Sequence, residues 1–229
     1  MIGIFDSGSG GEFTQEALKR AFPSADTLLY SDRKNAPFGT KTEKELIKIT
    51  KDGITRLTDR GADVVLLACC TASTVHHLLP DAERERSIPI IGAVAKEALS
   101  LTEGRIAVLA TEATVRSHAF KKALGDRCAI EIAASELVGM VERGEADGSA
   151  TAEAEYFLRL RLSALEGVGC DALILGCTHF PRLGGTIIGI AEEISKRKII
   201  AVSSTDCAVK ELLQRLGGAP VGEGRHRTI

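Results

Sequence analysis

Two segments of this 229-residue chain repeat one design, and that repeat limits what the chain can fold into. Asp63-Val-Val-Leu-Leu-Ala-Cys69-Cys70-Thr71-Ala72-Ser73 and Asp171-Ala-Leu-Ile-Leu-Gly-Cys177-Thr178-His179 both open on aspartate and run through apolar residues. Each reaches a cysteine six positions after the aspartate. A short apolar run of this kind reads as a strand buried on both faces of a parallel sheet. The cysteine and the small polar residues after it then fall at the carboxyl end of the strand, the edge where open α/β sheets bind ligands. Two such ends, one in each half, can bring two thiols to one pocket.

The rest of the chain agrees with that architecture. Strand-like and helix-like segments alternate, and the alternation runs twice. The expected fold class is α/β, with two pseudo-symmetric, doubly wound parallel-sheet domains and the active site in the cleft between them. Residues 1–93 form the first lobe, joined by 205–229 if the last helix packs back on it, and 94–204 form the second. Thr42 and Glu45 have the spacing of a capping box for a helix to about residue 60. Helices are also expected over 73–79, from after Thr111 to 124, over 136–143 with Glu142, and over 205–216, where Gly217-Gly218 stops the last. Residues 144–148 read as a loop, and the tail over 219–229 reads as loose.

Composition removes several function classes. A net charge of −2 argues against a nucleic-acid surface, which needs a basic stripe. No apolar run approaches a membrane span, and Ile2-Gly-Ile-Phe5 reads as a strand rather than a signal peptide, so a cytoplasmic protein is expected. In a reducing compartment the six cysteines are core residues, metal ligands or catalysts rather than disulfides. Cys128, Cys170 and Cys207 fit the core. Cys69 and Cys177 stand out because each ends a strand at the ligand edge, whereas Cys70 is either pocket-lining or structural. A zinc site from Cys69, Cys70, His76 and His77 is disfavoured, because the members of each pair are adjacent and lack the spacing of zinc motifs.

Asp6-Ser-Gly-Ser-Gly-Gly11 is a glycine-rich turn after the first strand. It lacks the third glycine of a dinucleotide fingerprint and the Gly-Lys-Ser/Thr of a Walker loop, so the glycines are read as letting backbone approach a small ligand. Asp6 is either a helix cap or an acid/base assistant. His179 is either a capping residue or a neighbour that tunes the Cys177 thiol. Two thiols facing one carbon suggest stereoinversion, with one removing a proton from one face and the other returning a proton to the opposite face. Such a carbon is a very weak acid, so hydrogen-bond donors must hold the carboxylate and water must be excluded. Ser7, Gly39, Thr71, Thr114 and Thr178 lie at turns that can supply these donors.

Five motifs then carry a resemblance over nearly the whole chain. They are Asp6-Ser7-Gly8-x-Gly10-Gly11, Pro37-x-Gly39, Ala68-Cys69-x-Thr71-Ala72, Ala113-Thr114-Val115-Arg116-Ser117 and Gly176-Cys177-Thr178-His179-x-Pro181. Their order resembles bacterial glutamate racemase. The resemblance implies a cofactor-independent isomerase, commonly a homodimer, that interconverts L- and D-glutamate for peptidoglycan synthesis. It implies no metal, and glutamate or a similar amino acid as the small-molecule partner. By position, Cys69 acts on D-glutamate and Cys177 on L-glutamate, Asp6 assists the first thiol, and His179 assists the second with Glu142 as its partner. Ser7, the backbone at Phe38-Gly39, Thr71, Thr114 and Thr178 hold the substrate, and Cys70 takes a substrate-binding place where the family has asparagine. A thiol replaces a carboxamide poorly in hydrogen bonding. Phe38 and Phe180 replace tyrosines, and Glu12-Phe13 replaces Leu or Ile followed by Ser. These departures motivate two alternatives: racemisation of another amino acid or dicarboxylate, and a catalytically weak binding protein on the same fold. The adjacent Cys69-Cys70 gives a third, poorer reading as a thiol redox protein, which lacks the C-x-x-C spacing.

Overall fold

The computed structural model describes residues 1–143 and 150–229, so the loop expected over 144–148 lies outside the described residues. The strands in chain order are β1 (Ile2–Asp6), β2 (Thr27–Ser31), β3 (Val64–Leu67), β4 (Ser87–Pro89), β5 (Arg105–Ala110), β6 (Cys128–Ala133), β7 (Cys170–Gly176), β8 (Ile200–Ser203) and β9 (His226–Thr228). They form two sheets, ordered β4-β3-β1-β2-β9 and β6-β5-β7-β8. Every pairing is parallel. Read from the other edge, the second sheet runs β8-β7-β5-β6, the order of the first sheet without its added strand, so the duplication seen in the sequence is a duplication of topology. The register agrees: Phe5 pairs with Leu67 in the first sheet and Leu109 with Leu175 in the second, each two residues before a cysteine.

The aspartates that open the two repeats do the same local work. Asp63 binds the N-terminal ammonium that leads into β1. Asp171 accepts from the Arg105 backbone N–H at the start of β5 at 3.1 Å. Each ties the start of its cysteine strand to the start of the central strand beside it.

Strand alternation divides the core. Val65, Leu67 and Cys69 join a cluster with Phe5, Phe38, Ile54 and Leu57 on the outer face of the first sheet. Leu173, Leu175 and Cys177 join the outer cluster of the second sheet with Leu109, Leu137 and Phe180. Between the sheets, Leu66, Ala68 and Cys70 share a third cluster with Ile106, Val108, Ile174 and Val202. The helices Ile91–Leu101 and Ser204–Leu216 add Val94, Ala98, Cys207 and Leu212 to it.

The Thr42–Glu45 capping box forms in full, and Gly217 ends the last helix at φ 66°. Three expectations change. The helix expected over 73–79 begins at Cys70, directly after Cys69, and ends at Ser73, where the Ser73 hydroxyl donates to the Leu67 carbonyl. The helix expected from Thr111 to 124 is broken at His118, which takes a left-handed conformation at φ 52°. There the Ser117 hydroxyl donates to the Thr114 carbonyl and accepts from Ala119 N–H, competing with the helical pattern.

The tail is ordered rather than loose. β9 adds to the edge of the first sheet along β2. Asp26 anchors the approach to it, accepting from the backbone N–H of Glu223 (3.1 Å) and Arg225 (2.8 Å) and from the Arg225 guanidinium (3.1 Å). The Arg225 contacts hold the Asp26 carboxyl down at about 2, below its usual 3.8. A depressed pKa in the folded state means that the anchor is fully present above pH 3.8 and is lost as pH falls through about 2. Substitution Asp26→Ala is expected to raise amide hydrogen exchange over 226–228 and expose Arg225 and Arg227 to trypsin at neutral pH. Unchanged protection would show that the tail is held by something else.

Candidate active site

The carboxyl ends of β1, β3, β5 and β7 converge between the lobes. Cys69 and Cys177 are 5% and 7% exposed, so the cleft is closed over both thiols. Cys69 lies on the extended residue between β3 and its helix, and its thiol donates to Ser7 Oγ at 3.6 Å. Burial, with a further contribution from the charge of Asp6, raises this thiol to about 12.

Cys177 contacts His179 Nδ1 at 3.5 Å, and His179 Nε2 contacts Glu142 Oε1 at 2.6 Å. Burial alone would lower the imidazole, but the hydrogen bonds to Cys177 and Glu142, with the charge of Asp6, raise it to about 10. Glu142 is held at about 2, first by His179 and then, against partial burial, by Ser9 N–H. At neutral pH His179 is therefore an imidazolium that donates through both ring nitrogens. Asp6 is fully buried. Its carboxylate accepts from Gly8 N–H at 2.9 Å and from the Thr178 hydroxyl at 3.1 Å. Burial pushes its pKa up, and His179 partly offsets the rise.

The glycine turn owes its composition to these contacts. A Cβ on Gly8 would meet Glu142 Oε1 at 2.4 Å, and one on Gly10 would meet Thr178 Oγ1 at 2.1 Å. The backbone approach anticipated for a small ligand is made by the opposing lobe. Glu142 Oε1 also accepts from Ser9 N–H at 2.8 Å, so one carboxylate bridges the first-lobe turn and the second-lobe histidine.

On the other side of the cleft, three buried hydroxyls form a triangle across the lobes. Thr71 contacts Thr111 at 2.8 Å and Thr114 at 3.1 Å, and Thr111 contacts Thr114 at 2.9 Å. Gly39 lies against Thr111 and Ser135. The Phe38 ring points into the first core, 6.0 Å from the Phe5 ring, which leaves the backbone of this turn toward the cleft. Thr111 and the Ser9 amide were not singled out from the sequence. The signal for Thr111 is its position just after β5, the place that Ser7 holds after β1.

The expected site residues Asp6, Ser7, Gly39, Cys69, Thr71, Thr114, Glu142, Cys177, Thr178 and His179 thus gather around one cleft. Cys70 stands apart. It is 1% exposed and faces the central core, where burial, followed by the nearby Cys177 and Cys69, raises its thiol well above the ordinary value. The adjacent pairs Cys69-Cys70 and His76-His77 make no shared cluster, and His76 contacts the Arg84 carbonyl instead. Among the described residues no group of three or more His, Cys, Asp or Glu side chains could hold a metal ion.

Two predictions follow from this geometry. In Gly10→Ala, helix propensity favours alanine by about 1 kcal/mol. The clash with Thr178 is of the overpacking kind, which costs about 1–3 kcal/mol, so net destabilisation in urea is expected and stabilisation would contradict the close approach. The second concerns the ion pair. Because His179 is raised and Glu142 depressed, each relative to its ordinary 6.5 or 4.5, the pair's stabilisation is complete between pH 4.5 and 6.5. It is lost as pH rises through about 10 or falls through about 2. In Glu142→Gln, the His179 midpoint measured by NMR should fall from about 10, and a midpoint that stays there would exclude Glu142 as a determinant.

Comparison with known proteins identifies the family and the fold. Residues 2–212 match the family model described as Asp/Glu/Hydantoin racemase. A glutamate racemase of Desulforudis audaxviator is 34% identical over 243 aligned positions, covering 100% of this chain and 85% of that one. A glutamate racemase of Deinococcus radiodurans is 38% identical over 199 positions, covering 81% of this chain and 66% of that one. The crystal structure of a glutamate racemase isoform from Bacillus anthracis superposes with a TM-score of 0.86 at 26% identity, covering 100% of this chain and 87% of that one. The chain belongs to the Asp/Glu/hydantoin racemase family and is an isomerase of that family.

Proposed function

We propose that the protein interconverts L- and D-glutamate by a two-base mechanism in which Cys69 and Cys177 work on opposite faces of the α-carbon. The observation that carries this reading is the pair of thiols at equivalent strand ends, one beside Asp6 and Ser7, the other hydrogen-bonded to an imidazolium. The relatives' shared name supports glutamate as the substrate. The lobes that close on it are 1–93 with 205–229, and 94–204.

The resting protonation favours one direction. A Cys69 thiol raised to about 12 is protonated at neutral pH, and the His179 imidazolium stands in hydrogen-bond contact with Cys177. This arrangement suits removal of the α-proton of L-glutamate by Cys177 and delivery of the Cys69 proton to the other face. In the reverse direction Asp6 helps Cys69 lose its proton. Donors around the cleft, the hydroxyls of Ser7, Thr71, Thr114 and Thr178 and the backbone at Gly39, hold the carboxylates and spread the carbanion's charge. A closed cleft keeps water from competing. The chemistry needs no cofactor, and the cellular role implied is cytoplasmic supply of D-glutamate for peptidoglycan by a homodimer.

Cys70 gives a reason to test other substrates, because it points into the core and offers the substrate no carboxamide. Cys69→Ala and Cys177→Ala should each lower racemisation of glutamate by about 10²–10⁴-fold, the usual contribution of a positioned acid or base. Circular dichroism of the two enantiomers reads the rate, with aspartate and other dicarboxylic amino acids as parallel arms. Full activity in either variant would remove that thiol from the mechanism. Cysteine-dependent activity confined to another amino acid would transfer the mechanism to that substrate.

A further inference from the structure

Both thiols are buried, so the lobes must part before a substrate reaches them. The contacts that cross the cleft beside the glycine turn run in a line outward. Asp6 with Thr178 is fully inside, the Ser9 amide with Glu142 follows, and Phe13 with Arg182 lies outermost. Phe13 is on the first turn of the helix Gly10–Ala21, three residues after Gly10. Arg182 is in the 3-10 turn Phe180–Leu183, three residues after His179. The Arg182 guanidinium carbon stands 4.1 Å from the centre of the half-buried Phe13 ring. The two side chains thus join the element that carries the glycine turn to the element that carries Cys177-Thr178-His179.

We propose that Phe13 and Arg182 form a rim latch, a cation–π contact across the mouth of the cleft that sets how often the lobes part and expose Cys69 and Cys177. A cation over a ring face is attracted by the ring quadrupole and needs no single hydrogen-bond geometry. Such a contact tolerates small hinge displacements, unlike the directional bonds deeper in the cleft. It is also weak enough at a partly solvated site to be broken and remade at each opening. The Phe13 ring and the Arg182 guanidinium meet each other rather than either thiol, so their contact bears on access to the site.

The test is the rate at which iodoacetamide alkylates Cys69 and Cys177 at fixed pH, read by peptide mass spectrometry. Cys128, partly exposed on the edge strand β6, serves as the internal reference. In Phe13→Ser and in Arg182→Gln, alkylation of Cys69 and Cys177 should rise about two- to fivefold, the equilibrium change expected for an exposed cation–π contact. The reference rate at Cys128 should stay constant. Phe13→Tyr keeps the ring and should retain the parent rate, and the double variant should rise by less than the product of the two single effects, because the two substitutions share the Phe13–Arg182 contact. Unchanged alkylation in both single variants, additive effects in the double variant, or an equal rise at Cys128 would overturn the latch. Since this measurement uses no glutamate, failure of the latch and failure of the racemase reading are separately visible.

Discussion

The bridge made by Glu142 is the interaction on which the rest of the site depends. A single carboxylate oxygen accepts from the His179 ring and from the Ser9 amide, joining the two lobes at the point where one thiol is tuned. For the bridge to form, the first-lobe turn must come so close that positions 8 and 10 have no room for a side chain. The glycines, the closed cleft and the charged histidine are thus consequences of one approach. Burial makes Asp6 and Cys69 reluctant to ionise, while the same closure gives His179 two acceptors that overcome the cost of burying its charge.

A duplicated fold has been made chemically unequal. Register equates Phe5 with Leu109 and Leu67 with Leu175, so Asp6 corresponds to Ala110, Ser7 to Thr111 and Thr71 to His179. The first lobe supplies a carboxyl group beside its thiol where the second has only a methyl group. The second supplies an imidazole where the first has a hydroxyl. In the proposed two-base reaction one thiol holds a proton while the other lacks one, and these unequal neighbours give each thiol its own partner.

The fold was legible because its signals are local and repeated. The Asp-apolar-Cys segments, the Thr42–Glu45 box and Gly217 state their structure within a few residues. The tail was not, because β9 depends on Asp26, some two hundred positions away. The break at His118 likewise depends on side-chain competition within a segment whose pattern reads as helical. Most site residues could be named from strand ends and from the resemblance. The pairing of His179 with Glu142 came with the resemblance, but the Ser9 arm of the Glu142 bridge, the Thr71–Thr111–Thr114 triangle and the inward turn of Cys70 depend on packing between distant segments.

The central claim is that two different groups serve the two faces of one carbon. The most direct measurement is the early time course of deuterium incorporation when each glutamate enantiomer is incubated with the enzyme in D2O. With two bases, the newly formed enantiomer carries solvent deuterium at the α-carbon while the remaining substrate keeps its hydrogen. If the remaining substrate gained deuterium as fast as the product formed, a single group would be exchanging its proton on one face, and the two-thiol account would be contradicted.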